Sequence, residues 1–277
     1  MPVIYRRIML RLLIYAVIIV VFFIAYTRFL ERTMIFYPSK EMNFKPSDMG
    51  LEYEDVFFVS ADGQKINGWF IPAKQAYATV LYFHGNAGNI SHRVEIGRMF
   101  HDKNMDIFMI DYRGFGKSSG RPQEKGVYLD GLAAYEYLVK TRKITPGKIV
   151  IFGKSLGVAI AVEVASKVPA GALICESGFT STRDFARQAY SFLPFWLCVS
   201  QRFDSLEKIN RVKMPKLIIH SLDDEIVPFS HGKKLFERAT EPKEFYEMHG
   251  GHNDAFYVYG GECMQRIEEF IRQSLRP

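Results

Sequence analysis

Ile149-Val150-Ile151-Phe152 runs directly into Gly153-Lys154-Ser155-Leu156-Gly157, and that into Val158-Ala159-Ile160-Ala161-Val162. The first run suits a buried strand and the last a buried helix. Only one tight turn separates them, so strand and helix must fold back on each other, with the two glycines allowing close passage of their backbones. A strand that becomes a helix this abruptly is the repeating unit of a mostly parallel sheet.

The same alternation recurs along the chain. Glu52 to Val59 and Lys65 to Ile71 flank Ala61-Asp62-Gly63, a hairpin signal. Further strands are expected at Thr79 to Phe83, Ile107 to Ile110, Ala172 to Cys175, Leu217 to Ile219 and Glu244 to Met248. Helical stretches are expected at Gly126 to Lys140, Leu156 to Lys167, Ser230 to Arg238 and Ala255 to Leu275. The pattern predicts an α/β fold: an eight-stranded, mostly parallel sheet with helices on both faces. Functional loops in such sheets lie beyond the carboxyl ends of the strands. The link 177–214 is long, and its Phe192-Leu193-Pro194-Phe195-Trp196-Leu197 predicts either core helices or a small lid whose aromatics line an acyl pocket.

The N-terminus differs from the rest. Leu12 to Thr27 carries no charge, and Ile8 to Thr27 supplies the roughly 20 residues a membrane-crossing helix needs if Arg11 snorkels to the headgroups. A cleavable signal peptide has a shorter apolar core and an A-x-A-like site, which this chain lacks. The expected organisation is an anchor over 1–30, a connector over 31–50 and a catalytic domain over 51–277 with the 177–214 insertion. Arg6, Arg7 and Arg11 precede the span, whereas Arg28 and Arg32 follow it with Glu31 between them. This asymmetry favours a cytoplasmic N-terminus and an exported catalytic domain. A net charge of +6 without a run of five basic residues argues against nucleic acid and suits contact with membrane lipid. Cys175, Cys198 and Cys263 are scattered, which argues against a disulfide framework and offers no zinc spacing.

Two segments match G-x-S-x-G, centred on Ser118 and Ser155. A nucleophile elbow needs a strand entering and a helix leaving, which exposes the hydroxyl above the sheet. Ser155 has both, whereas Ser118 runs into Ser119-Gly120-Arg121-Pro122, which is turn chemistry. A phosphate loop is excluded at both places, because Asp111 and Lys148 stand where its first glycine must be. A serine hydroxyl needs a base to take its proton. His252, in the loop Gly250-Gly251-His252-Asn253-Asp254, is the expected base, with His249 as the rival. The orienting acid is expected after Leu217-Ile218-Ile219-His220, where Asp223 and Asp224 are equally placed, and Glu176 is a third candidate. The glycine-rich turn from His84 to Asn89 can aim a backbone N–H at an oxyanion, pairing Asn86 with Leu156. Phe115, Phe179, Phe195 and Trp196 are the expected substrate-binding aromatics.

The segments HGNAGN (84–89), DYRGFGKSSG (111–120), GKSLG (153–157), DEIVP (224–228) and GGHND (250–254) resemble, in order and spacing, membrane-anchored α/β-hydrolase-domain serine hydrolases of the serine aminopeptidase-like branch. The resemblance covers roughly Glu52 to Gln273. It implies the α/β-hydrolase fold, Asp224 as the acid and Asn86 as the oxyanion residue. It also implies a hydrolase without metal or cofactor, acting on esters, thioesters or acyl-proteins. A peptidase on the same triad, with Glu176 holding the substrate ammonium, and a non-enzymatic membrane-bound binding protein are the alternatives.

Overall fold

The computed structural model describes residues 3–189, 194–258 and 260–276. Its central sheet has eight strands: β1 (Glu54–Val59), β2 (Lys65–Ile71), β3 (Ala78–Phe83), β4 (Met105–Asp111), β5 (Ile149–Lys154), β6 (Ala172–Glu176), β7 (Lys216–Ser221) and β8 (Lys243–Met248). Their order is β8-β7-β6-β5-β3-β4-β2-β1. The opening hairpin is antiparallel, with Asp55 opposite Trp69, and β2 runs antiparallel to β4, with Asn67 opposite Asp111. All other neighbours are parallel. The mostly parallel, eight-stranded α/β-hydrolase sheet expected from the sequence is the one observed.

Strand periodicity divides the core. In β3, Leu81 and Phe83 face one side with Ile149 and Ile151 of β5, while Val80 and Tyr82 face the other with Val150 and Phe152. The first side is covered by α3 (Glu124–Glu136), α4 (Leu156–Ala165) and α6 (Ser230–Arg238), through Val127, Ile160 and Leu235. The second is covered by α2 (Val94–His101) and α7 (Gly260–Ser274), through Phe100, Ile267 and Phe270. Every residue of α4 is buried, and each large apolar side chain there contributes about 1.5–3 kcal/mol. Helix α2 was not expected from the sequence. Gly97 interrupts its apolar stripe, but a methyl at that position would meet Ile71 Cδ1 at 2.8 Å, so the helix can lie close on β2 only without one.

Helix α1 (Val3–Met34) is continuous, and its Val3–Glu31 stretch, with mean hydropathy 2.9, is long and apolar enough to cross a membrane. Its most apolar window is not buried by the rest of the described chain. The connector that follows is not a free tether. Tyr37–Pro38 pairs in parallel with Ala87–Gly88, and the Asn89 side-chain amide donates to the carbonyls of Ser39 and Glu41. The 177–214 insertion contains α5 (Thr182–Ala189), a turn of 3-10 helix at Pro194–Leu197 and a short helix at Ser205–Lys208. Phe192 and Leu193 of its aromatic run lie outside the described residues.

Candidate active site

Strands β3 and β5 are neighbours in the sheet, but β4 lies on the far side of β3, so the order of strands reverses between them. A crevice at such a reversal, beyond the carboxyl ends of the strands, is where open α/β sheets bind ligands. Ser155 sits there, with φ 53° and ψ −118°, a backbone conformation L residues rarely adopt. Its amide donates to the Glu176 carbonyl at 2.8 Å, fixing the corner to β6. Close packing explains both motif glycines. A Cβ on Gly153 would lie 2.3 Å from the Gly157 carbonyl oxygen, and one on Gly157 would lie 2.0 Å from that of Phe83.

Three side chains meet at this corner. Oγ of Ser155 lies 3.0 Å from Nε2 of His252, and Nδ1 of His252 lies 2.8 Å from Oδ2 of Asp224. With Nδ1 donating to the carboxylate, Nε2 is left as an acceptor facing the hydroxyl. The His252 backbone N–H donates to Glu225 at 2.9 Å, and Gly250 bends the loop with φ +100°. Burial alone would raise the Asp224 carboxyl. His252, the Val227 amide and His220 together outweigh it and hold the group below its ordinary value. Its Oδ1 accepts from the amides of Ile226 at 3.0 Å and Val227 at 2.7 Å. The rival pair stands apart: Asp223 and His249 are exposed and bond each other at 2.9 Å.

The His84–Asn89 turn lies against the same corner, since a Cβ on Gly85 would be 3.6 Å from that of Ser155. Buried His84 carries Nδ1 2.7 Å from the Gly85 carbonyl and Nε2 3.5 Å from Asp111. The Tyr112 hydroxyl donates to the His84 carbonyl at 2.8 Å, and the Tyr37 amide donates to that of Asn86 at 2.9 Å. Asn86 and Leu156, the latter opening α4, border one cavity of about 280 Å³ with Ser155 and His252. Its apolar walls are Met34, Ile35, Phe179, Phe185, Ile226 and Val227, and Arg93 and Lys154 add cationic groups.

The expected substrate aromatics divide. Phe179 lines the cavity. Phe115 does not: Gly114 and Gly116, with φ 85° and 43°, turn the chain so that its ring is fully buried, edge-on to His84 and Tyr112. Trp196 borders a separate cleft with Arg183, Asp184 and Arg202. The Phe195 side chain lies outside the described residues. Ser118 is buried in its turn, donating to the Asp111 carbonyl at 2.6 Å and accepting from the Asn67 amide at 2.8 Å. Sequence reasoning missed Met34 and Ile35, which reach the cavity from the end of α1, and the His84–Asp111 brace. The brace had a signal in HGNAGN and DYRGFGKSSG, because the ends of adjacent parallel strands are neighbours.

The chain is similar in sequence and fold to known proteins. The family model for serine aminopeptidase, S33, matches residues 74–203. A Mycobacterium tuberculosis protein (strain ATCC 25618 / H37Rv) is 33% identical over 247 residues, 88% of each chain. The α/β hydrolase domain-containing protein WAV2 of Arabidopsis thaliana is 33% identical, over 81% of this chain and 80% of its own. The chain belongs to the α/β-hydrolase family. Among solved structures this hydrolase is similar to the Pyrococcus furiosus esterase Pf2001, with a TM-score of 0.74 and 23% identity over 87% of this chain and all of that one.

Proposed function

We propose that the protein is a serine hydrolase that cleaves carboxylic ester and thioester bonds of acyl, lipid-like substrates, held to a membrane lipid bilayer by α1. His252 Nε2 takes the Ser155 proton as Oγ attacks the substrate carbonyl, and Asp224 keeps the imidazole in the accepting tautomer and stabilises the imidazolium that forms. The Asn86 and Leu156 amides receive the oxyanion, aided by the dipole of α4. The imidazolium gives its proton to the departing alcohol or thiol, and water, activated by the same His252, releases the acyl group. Every step uses groups of this chain, and none calls for a metal or organic cofactor.

The observation that carries the reading is the unbroken chain Ser155–His252–Asp224, at 3.0 and 2.8 Å, on the wall of a largely apolar cavity. Pf2001 is an esterase of the same fold, which supports the choice of ester. The peptidase alternative needed Glu176 to hold an ammonium group. That carboxylate is 1% exposed and already accepts from Lys154 at 2.7 Å, so it is not offered to the cavity. Hydrolysis of aminoacyl-naphthylamides with no turnover of esters would restore the peptidase.

A fluorophosphonate probe tests the nucleophile: labelling should vanish in Ser155→Ala, and turnover of p-nitrophenyl esters should fall by about 10⁶. Esters of increasing chain length test the substrate class, and a preference that stops at acetyl would refute a lipid-like acyl group. For α1 we propose a membrane anchor with the catalytic domain on the exported side. Protease protection of residues 51–277 in spheroplasts or sealed vesicles reads the orientation directly.

A further inference from the structure

Thr27, Leu30, Glu31 and Met34 recur every three or four residues and so form one edge of α1. That edge turns inward at Thr27, Leu30 and Glu31, while Met34 at its end is 44% exposed. It borders a second, apolar cavity of about 180 Å³ whose opposite wall is Ala186 of α5 with Cys198 and Val199 of the insertion. Tyr26 and Phe29 on the other edges are exposed. The two cavities share Met34, Ile35, Thr182 and Phe185 as walls, so the apolar one adjoins the Ser155 cavity directly. The two walls of the apolar cavity are fastened together. The Glu31 carboxylate, largely buried, accepts from the amides of Ser200 at 2.5 Å and Gln201 at 2.6 Å and from the Ser200 hydroxyl at 2.6 Å.

We infer that α1 forms a wall of the substrate site: the acyl chain of a membrane-resident ester lies in the groove between α1 and α5, entered along the helix from the bilayer, with its carbonyl at Ser155. This rests on the ester hydrolase reading above. A chain that follows α1 into the groove keeps apolar surface on both sides throughout. A route through water would instead cost about fourfold in population for each exposed methylene. The Glu31 contacts hold α1 and the insertion together, so the groove keeps its width without a substrate in it. The anchor thereby selects for long acyl chains as well as for location.

The test uses the full-length protein in phosphatidylcholine vesicles and a hexadecyl fluorophosphonate carrying a diazirine near the chain end. Ser155 displaces fluoride, and irradiation then marks whatever lies beside the tail. Adducts on the peptide holding Thr27 to Met34, or at Ala186, Cys198 or Val199, are expected. A Ser155 adduct whose tail marks only other surfaces, or only lipid, overturns the inference. Failure to label Ser155 at all sinks the nucleophile assignment instead, so the two failures are distinguishable. In parallel, Ala186→Trp narrows the groove and should lower the ratio of palmitoyl to butyryl ester turnover about tenfold or more. An unchanged ratio overturns the inference, and the photo-adducts on wild-type protein decide the matter if that variant does not fold.

Discussion

Asp224 holds His252 at 2.8 Å from within the core, while Asp223, its neighbour in sequence, bonds exposed His249 at 2.9 Å on the surface. Two adjacent carboxylates on one turn therefore serve two different imidazoles. Asp224→Asn would leave the packing intact but favour the wrong tautomer of His252, and kcat should fall by about 10⁴. Asp223→Asn should change kcat by no more than about twofold, because an exposed pair of hydrogen-bonded side chains contributes little. Steady-state ester hydrolysis by the two variants checks both, and comparable losses would contradict the division of roles.

Ser118 supplies a contrast with Ser155. Ser118→Ala removes a buried hydroxyl that donates to the Asp111 carbonyl and accepts from the Asn67 amide. The groups left unsatisfied should cost about 1–3 kcal/mol, read as a lower urea midpoint, while fluorophosphonate labelling persists.

Gly157→Ala should be far more damaging than a helix propensity scale suggests. The added methyl would lie 2.0 Å from the Phe83 carbonyl oxygen and 2.8 Å from that of His84, and neither backbone group can yield without shifting β3. A loss of about 3 kcal/mol or more is expected from equilibrium unfolding, with reduced labelling of whatever folds.

His231 should make the insertion sensitive to acid. Its Nδ1 accepts from the Thr180 amide at 3.2 Å and lies 2.9 Å from the Thr180 hydroxyl, where the insertion leaves the sheet. Burial, with help from Lys234 and His220 and against Asp184 and Asp224, lowers this imidazole from 6.5 to about 4. Between those values the unfolded chain binds more protons than the folded one, so this group's contribution is complete above about pH 6.5 and declines as pH falls toward 4. Denaturant titrations at pH 7 and pH 4.5 should show a loss of about 2 kcal/mol in wild type that His231→Gln lacks.

What could be read in the sequence follows from the range of the forces involved. The eight strands declare themselves through short apolar runs, and Ser155 through its strand–turn–helix surroundings, because neighbouring residues decide both. Phe115 was expected to face substrate. Its burial depends on the paired positive-φ turns at Gly114 and Gly116, which composition does not reveal. Met34 and Ile35 were invisible for a different reason. Nothing local says that the end of an apolar helix will dock beside a loop some 50 residues later, and only the Tyr37–Ala87 pairing and the Glu31–Ser200 contacts bring it there. Asp223 and Asp224 could not be separated by spacing, since one residue of offset turns a side chain from the loop interior to water.

Pairing of Tyr37–Pro38 with Ala87–Gly88 bears on how the enzyme should be handled. Trimming the N-terminus back to residue 51 is an obvious way to obtain a water-soluble fragment. It would strip from the Asn86 turn the amide that bonds its carbonyl and the carbonyls that hold the Asn89 side chain. Kinetic constants measured on such a fragment would describe a loosened Asn86 turn, and a weak rate would say little about the intact protein.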